Sequence, residues 1–172
     1  MELIIAIQRV MISLKYANYD IVFEEVPDET TLAINISNCP MHCEGCHSKY
    51  LWEDIGTPLT FAEVQRLINE NPGITCVGLM GGDSNPKEVY DIAKYIKEQC
   101  NLKVAWYSGK NQLNNQWIIE DSDNPFDYLK FGPYIKSKGG LSSPTTNQKF
   151  YKVIDRKLID ITDYFQNKGK DQ

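Results

Sequence analysis

The chain has 172 residues, 42% of them hydrophobic and 24% charged, ordinary globular proportions with enough length for one core. A closed eight-stranded α/β barrel takes about 250 residues, so an alternating strand and helix chain of this size must be a smaller or open form. The net charge of −5, with only three arginines (Arg9, Arg66, Arg156), lacks the basic footprint of a nucleic-acid binder.

Met1-Glu2 places no basic residue before the apolar stretch Leu3 to Ile7, which is far shorter than the ~18 residues of a spanning helix. The expectation is a cytoplasmic protein, neither exported nor membrane-inserted. Charge is uneven: residues 1–129 hold 9 Lys/Arg against 19 Asp/Glu, and residues 130–172 hold 9 against 4. Such asymmetry fits a solvated basic tail or a face for an acidic partner. Five cysteines without an export signal are expected to be thiols, and clustering among them points to metal or redox chemistry before disulfides.

In chain order, Ile21 to Val26 and Thr31 to Ser37 read as strands, the second alternating with Leu32, Ile34 and Ile36 on one face. Pro27-Asp28-Glu29 is the turn between them, and the second strand delivers the chain into Asn38-Cys39. Thr60 with Glu63 forms a capping box for a helix whose apolar stripe is Phe61, Val64, Leu67 and Ile68, stopped by Asn71-Pro72-Gly73. Ile74 to Met80 is a strand buried on both faces, ending in Gly81-Gly82-Asp83. Ser84-Asn85-Pro86 opens a second helix with Val89, Ile92, Ala93 and Ile96 inward, and Leu102 to Tyr107 is the next strand. This order is a parallel α/β pattern. Further on, Gln112 to Glu120 reads as a short helix, Tyr128 to Phe131 as a strand and Tyr134 to Gln148 as a long loop. Phe150 to Ile154 reads as a final strand and Ile159 to Phe165 as a closing element. Residues 1–172 are thus expected to form a single domain, with a core from about 19 to 165 and a frayed tail over 166–172.

The central motif is Cys39-Pro40-Met41-His42-Cys43-Glu44-Gly45-Cys46-His47, a C-x3-C-x2-C spacing. Three thiolates this close in sequence wrap one inorganic centre with little loop-closure cost. Cys43 to His47 matches the haem-attachment pattern C-x-x-C-H, but that reading lacks an export signal and leaves Cys39 unexplained. A thioredoxin-like dithiol at Cys43 and Cys46 leaves Cys39 surplus. Structural zinc needs a fourth ligand from His42, His47, Cys76 or Cys100, with no second C-x-x-C to supply a pair. A [4Fe–4S] cluster held by three cysteines keeps one iron open to a small molecule.

A C-x3-C-x2-C loop directly after an early strand resembles the radical S-adenosylmethionine (SAM) enzymes. More narrowly, Asn38-Cys39-Pro40 through Gly45-Cys46-His47, followed by Gly81-Gly82-Asp83, is similar to the activating proteins of anaerobic ribonucleoside-triphosphate reductase. The resemblance runs from about Tyr19 to Ile154. It implies an incomplete radical-SAM-type α/β barrel with mainly parallel strands, a [4Fe–4S] cluster on Cys39, Cys43 and Cys46, and SAM on its open iron. It also implies that Gly81, Gly82 and Asp83 meet the amino group of SAM, that Gly45 and His47 lie against its adenine, and that Ser108, followed by Gly109, meets its carboxylate or ribose. The implied activity is formation of a glycyl radical on the large subunit of the reductase, with flavodoxin or ferredoxin as electron donor. A radical-SAM enzyme with a different substrate, and a non-catalytic zinc-binding module, are the competing readings. Asn147-Gln148-Lys149 resembles a Ser-Asn-Gln-Arg run of the same family, stretched here by Pro144-Thr145-Thr146 and with lysine in place of the bidentate arginine.

Overall fold

The structure is a computed structural model and describes residues 14–168; the apolar stretch Leu3 to Ile7 and most of the expected frayed tail lie outside them. The strands are β1 (Lys15–Val22), β2 (Thr31–Ile36), β3 (Thr57–Pro58), β4 (Cys76–Met80), β5 (Lys103–Tyr107), β6 (Tyr128–Phe131), β7 (Lys149–Ile154) and β8 (Lys157–Asp160). The helices are α1 (Phe61–Glu70), α2 (Pro86–Tyr95), α3 (Gln116–Ile119) and α4 (Asp163–Asn167). One eight-stranded sheet runs in the order β3-β1-β2-β4-β5-β6-β7-β8. β2, β4, β5 and β6 are parallel neighbours, while every pairing outside them is antiparallel. The sheet is therefore mixed and open, with parallel strands confined to its centre.

Alternation splits each central strand between two cores. Leu32, Ile34, Val77, Leu79, Val104, Trp106, Leu129 and Phe131 pack on one face with Val64 and Leu67 of α1 and Val89, Ile92 and Ala93 of α2. Cys76, Ala105, Tyr128 and Phe150 face the other way, onto Val26 and Phe165. Burial on both faces is why Ile74 to Met80 reads as a continuous apolar run. Each fully buried Leu, Ile or Val side chain contributes about 1.5–3 kcal/mol, so this two-sided packing fixes where the central strands end.

The helices start where capping chemistry places them. Thr60 accepts a hydrogen bond from the Glu63 N–H at 3.0 Å, and Asn85 caps α2 ahead of Pro86. The reciprocal half of the Thr60–Glu63 box is replaced, because the Glu63 carboxylate turns to Arg66 at 2.7 Å and to the Tyr16 hydroxyl. α2 runs on through a π-helical turn, Ile96–Cys100, and stops at Asn101 in the left-handed region (φ 53°).

Three segments differ from the sequence reading. The first strand lies at Lys15–Val22, not Ile21 to Val26. After Val22 the chain leaves the sheet and folds under it, so that Val26 is fully buried while Phe23 stays 67% exposed. The closing element is two elements, β8 and α4. The short helix expected at Gln112 to Glu120 is a 3-10 turn, Leu113–Asn115, leading into α3. No described helix is long and apolar enough to cross a membrane.

At the N-terminal edge of the parallel strands Glu29 bolts three of them together. Its side chain is 3% exposed, pairs with Lys103, and accepts from Thr75 at 2.5 Å and Tyr128 at 2.9 Å. Burial alone would raise its carboxyl pKa, but the hydrogen bonds from Lys103, Thr75 and Tyr128 outweigh that and hold it below the usual carboxylate value. A lowered folded-state pKa stabilises the protein above the unfolded value near 4.5, and the contribution is lost as pH falls through the folded value. Glu29→Gln is expected to cost about 1–3 kcal/mol at pH 7; urea denaturation at neutral and acidic pH should show the gap from wild type closing as pH drops below that range.

Candidate metal centre

The parallel strands bring the cysteine loop, the Gly-Gly-Asp turn and the Ser-Gly pair to one edge. β2 runs into Ser37-Asn38-Cys39, β4 into Gly81-Gly82-Asp83, and β5 into Ser108-Gly109. The cysteine loop is tied at its root: the Ser37 N–H donates to the Lys15 carbonyl, the Asn38 N–H to that of Glu53 and the Cys39 N–H to that of Leu51, each at 2.9 Å. The Ser37 hydroxyl adds a bond to the Ile55 carbonyl at 2.6 Å. Asn38 and His42 adopt left-handed backbone (φ 59° and 44°), which wraps the loop, and the His42 ring stacks on Trp52 with centroids 4.6 Å apart.

Cys39, Cys43 and Cys46 are free thiols, all partly buried. The Cys46 N–H donates to the Cys43 carbonyl at 3.1 Å, and the Cys46 sulfur accepts from the Ser48 N–H at 3.4 Å. Burial raises the pKa of the Cys39 thiol, helped by the charges of Asp83 and Cys43, against the N–H groups of Met41 and His42 that point at its sulfur. Among the described residues no three His, Cys, Asp or Glu side chains form a group that holds a single metal ion.

Asp83 sits beneath the loop, 3% exposed. Its Oδ1 accepts from the Ser108 hydroxyl at 2.5 Å and its Oδ2 from the Gly109 N–H at 2.7 Å, so the two motifs expected to touch one ligand are joined to each other. The fully buried Asn115 donates to the Ser108 oxygen at 3.3 Å. On the other side, the Trp106 indole donates to the Gly81 carbonyl at 2.7 Å. Gly82 has φ +93°, and a Cβ there would lie 2.4 Å from a methyl of Val89, so no larger residue fits. Gly109 is held by proximity instead, a Cβ lying 2.7 Å from Met41 Cγ of the cysteine loop.

Other residues of the site escaped the sequence reading. Lys130 is buried, donating to the Gly132 carbonyl at 2.7 Å and that of Ser108 at 3.4 Å. Burial pulls its ammonium pKa down to about 8, against Asp83, Cys43 and Cys39, which favour the charged form. A lysine inside an otherwise apolar strand was the available signal. Tyr134 and Lys136 close over Gly45, and Tyr134 meets the His47 ring edge-on at 5.8 Å. The expected loop after β6 is thus an ordered strap on the cysteine loop. Beside it lies a hollow of about 430 Å³ lined by Glu44, Tyr134, Ile135, Lys136 and Ser137. A second hollow, about 550 Å³, is lined by Pro27, Tyr128, Ile161, Tyr164 and Lys168 at the far edge, without cysteine or histidine. Of the Asn147-Gln148-Lys149 run, Asn147 holds the Pro133 carbonyl, Gln148 reaches that of Gly132, and Lys149 pairs with Asp160. The first two brace the strap, and the third turns to β8.

Residues 30–151 match the family model described as the 4Fe-4S single cluster domain. The chain belongs to that family. Neither curated proteins nor solved structures provide a match. The match spans the cysteine loop, the Gly-Gly-Asp turn, the Ser-Gly pair and the whole strap. A 4Fe–4S cluster needs soft thiolate donors, and the tethered loop with three free thiols fits that demand.

Replacing Ser108 by Ala removes a hydroxyl that donates to Asp83 and accepts from Asn115 and the Lys110 N–H. A cost of about 1–3 kcal/mol is expected from the unpaired buried groups, read as a lower denaturant midpoint with an unchanged slope.

Proposed function

We propose that the protein is a radical-SAM activating enzyme built on an incomplete barrel, with Cys39, Cys43 and Cys46 holding the [4Fe–4S] cluster of its family. The observation that carries this reading is the convergence of the cysteine loop, Gly81-Gly82-Asp83 and Ser108-Gly109 on one sheet edge, where open α/β sheets bind ligands. In this reading Cys39, Cys43 and Cys46 would hold the cluster, which would supply the single electron for reductive cleavage of SAM and so for removal of a hydrogen atom from a backbone glycine of another protein.

The chain's own residues bind and orient. Gly81 and Gly82 let backbone approach the cofactor. Each Asp83 oxygen already accepts one hydrogen bond and has a lone pair left for an ammonium group. Ser108 holds that carboxylate in place more than it offers a contact of its own, because its hydroxyl donates to Asp83. Gly45 lies against Tyr134 and Lys136, and the His47 ring meets Tyr134 edge-on; in this reading the backbone of this segment lies against the adenine. The protein substrate in this reading is the large subunit of an anaerobic ribonucleoside-triphosphate reductase, and the electron donor is a flavodoxin or ferredoxin. All eight strands pair in one open sheet with no closure, which in this reading leaves a side through which a protein loop can enter.

Anaerobically purified protein is expected to be brown and to contain iron and sulfide in equal amounts, both lost in Cys43→Ala; zinc without iron after reconstitution would favour a zinc-binding module instead. With SAM and a reductant the wild type is expected to release 5′-deoxyadenosine, and Cys43→Ala to release none. Mixing with the reductase from the same organism is expected to give a glycyl-radical doublet in electron paramagnetic resonance. Cofactor cleavage without that doublet would assign the chemistry to another substrate.

A further inference from the structure

Four residues at or next to the C-terminal ends of the parallel strands lie in level register: Asn35 faces Met80, Met80 faces Tyr107, and Tyr107 faces Lys130. Of these only Lys130 is charged, and it is 8% exposed. An ammonium has three donors; two go to the carbonyls of Gly132 and Ser108. Among the described residues no carboxylate forms an ion pair with it. A buried charge without a partner is costly, so the position calls for a negative group nearby. The negative groups whose fields reach Lys130 are Asp83, Cys43 and Cys39. Asp83 forms no ion pair with Lys130, and the Ser108-Gly109 segment that holds the ammonium lies against Met41 of the cysteine loop, so the thiolates of that loop are the other negative groups at hand.

We propose that Lys130 is the fixed counter-charge of the iron-sulfur cluster and raises its reduction potential. This rests on the ligand set Cys39, Cys43 and Cys46 proposed above. Three thiolates outweigh the charge of an oxidised [4Fe–4S] core, and an added electron deepens the excess. A buried cation whose field reaches them stabilises the reduced form more than the oxidised one, because net charge and solvent exposure help to set the potential of such clusters. The two backbone carbonyls hold the ammonium in place, so the charge is present before the electron arrives.

The test is a mediated redox titration of reconstituted full-length protein without SAM, followed by absorbance, in wild type, Lys130→Met, Lys130→Gln and Lys130→Arg. Both neutral variants are expected to disfavour reduction about tenfold, ~59 mV to more negative potential for a one-electron couple, and Lys130→Arg to stay near wild type. Lys130→Gln keeps a donor for the Gly132 carbonyl, which separates charge from hydrogen bonding. An unchanged potential in either neutral variant that retains its iron would overturn the proposal. Loss of the cluster in both neutral variants with retention in Lys130→Arg would support it, and loss in all three would overturn it in favour of a purely steric role. Failure of the underlying ligand assignment reads differently, as iron retained by Cys43→Ala.

Discussion

The parallel hydrogen-bond ladder of β2, β4, β5 and β6 is the constraint from which the site follows. Parallel pairing points four C-terminal ends the same way, and the register makes them level. The ladder continues past the strands into the motifs themselves: the Gly81 N–H donates to the Tyr107 carbonyl at 3.0 Å, and the Ser108 N–H to that of Lys130 at 2.9 Å. Gly81-Gly82-Asp83 and Ser108-Gly109 are therefore extensions of the sheet that have lost strand geometry without losing their neighbours. A one-residue slip between β4 and β5 would send Trp106 to the other face and break its bond to Gly81.

Upon that frame the polar groups are arranged by necessity. Asp83 enters a water-poor region and is stable there because two adjoining segments answer it, one with Ser108 and the Gly109 N–H and the other, through Ser108, with Asn115. Lys130 enters from the next strand and finds carbonyls, not a carboxylate. Asp83 and Lys130 form no ion pair, each being held by neutral partners of its own. The strap then covers the loop from above, with Tyr134 and Lys136 on Gly45. It owes its shape to Asn147 and Gln148, whose side chains hold the Pro133 and Gly132 carbonyls.

Local chemistry made much of this readable. Capping residues announced α1 and α2, double-sided burial announced β4, and the cysteine spacing announced the loop, because each is a short-range pattern with one dominant physical cause. β1 was hidden because Lys15–Val22 carries polar residues at several positions and owes its strand state to pairing with β2, whereas Ile21 to Val26 looks more apolar but serves partly as an underside plug. β8 is short and mostly exposed, so it has no hydrophobic signature, only a partner. Gly81-Gly82-Asp83 was visible as a turn, but that its aspartate would be claimed by Ser108 depends on the neighbouring strand. The role of Lys130 depends on which face of β6 it occupies, a tertiary fact.

The charge asymmetry of the sequence also changes meaning once its members are placed. A lysine-rich stretch from residue 130 onward resembles a basic face for an acidic partner only if those lysines stand free. Lys130 is turned inward, Lys136 lies on Gly45, and Lys149 pairs with Asp160 at 3.2 Å. Lys152 lies over the Tyr128 ring and Lys168 over that of Tyr164, within 5.9 and 5.0 Å of the centroids. Contacts of the last kind are worth only about 0.5–1 kcal/mol each at exposed sites, yet they set direction. They draw the long side chains onto the protein's own aromatic rings and divide the positive charge between two distant places: the cysteine edge, through Lys130 and Lys136, and the far edge beside α4. Only the first lies where a negatively charged cluster is proposed to sit. The surplus that looked like a property of a tail is, in the fold, partly a property of the metal centre.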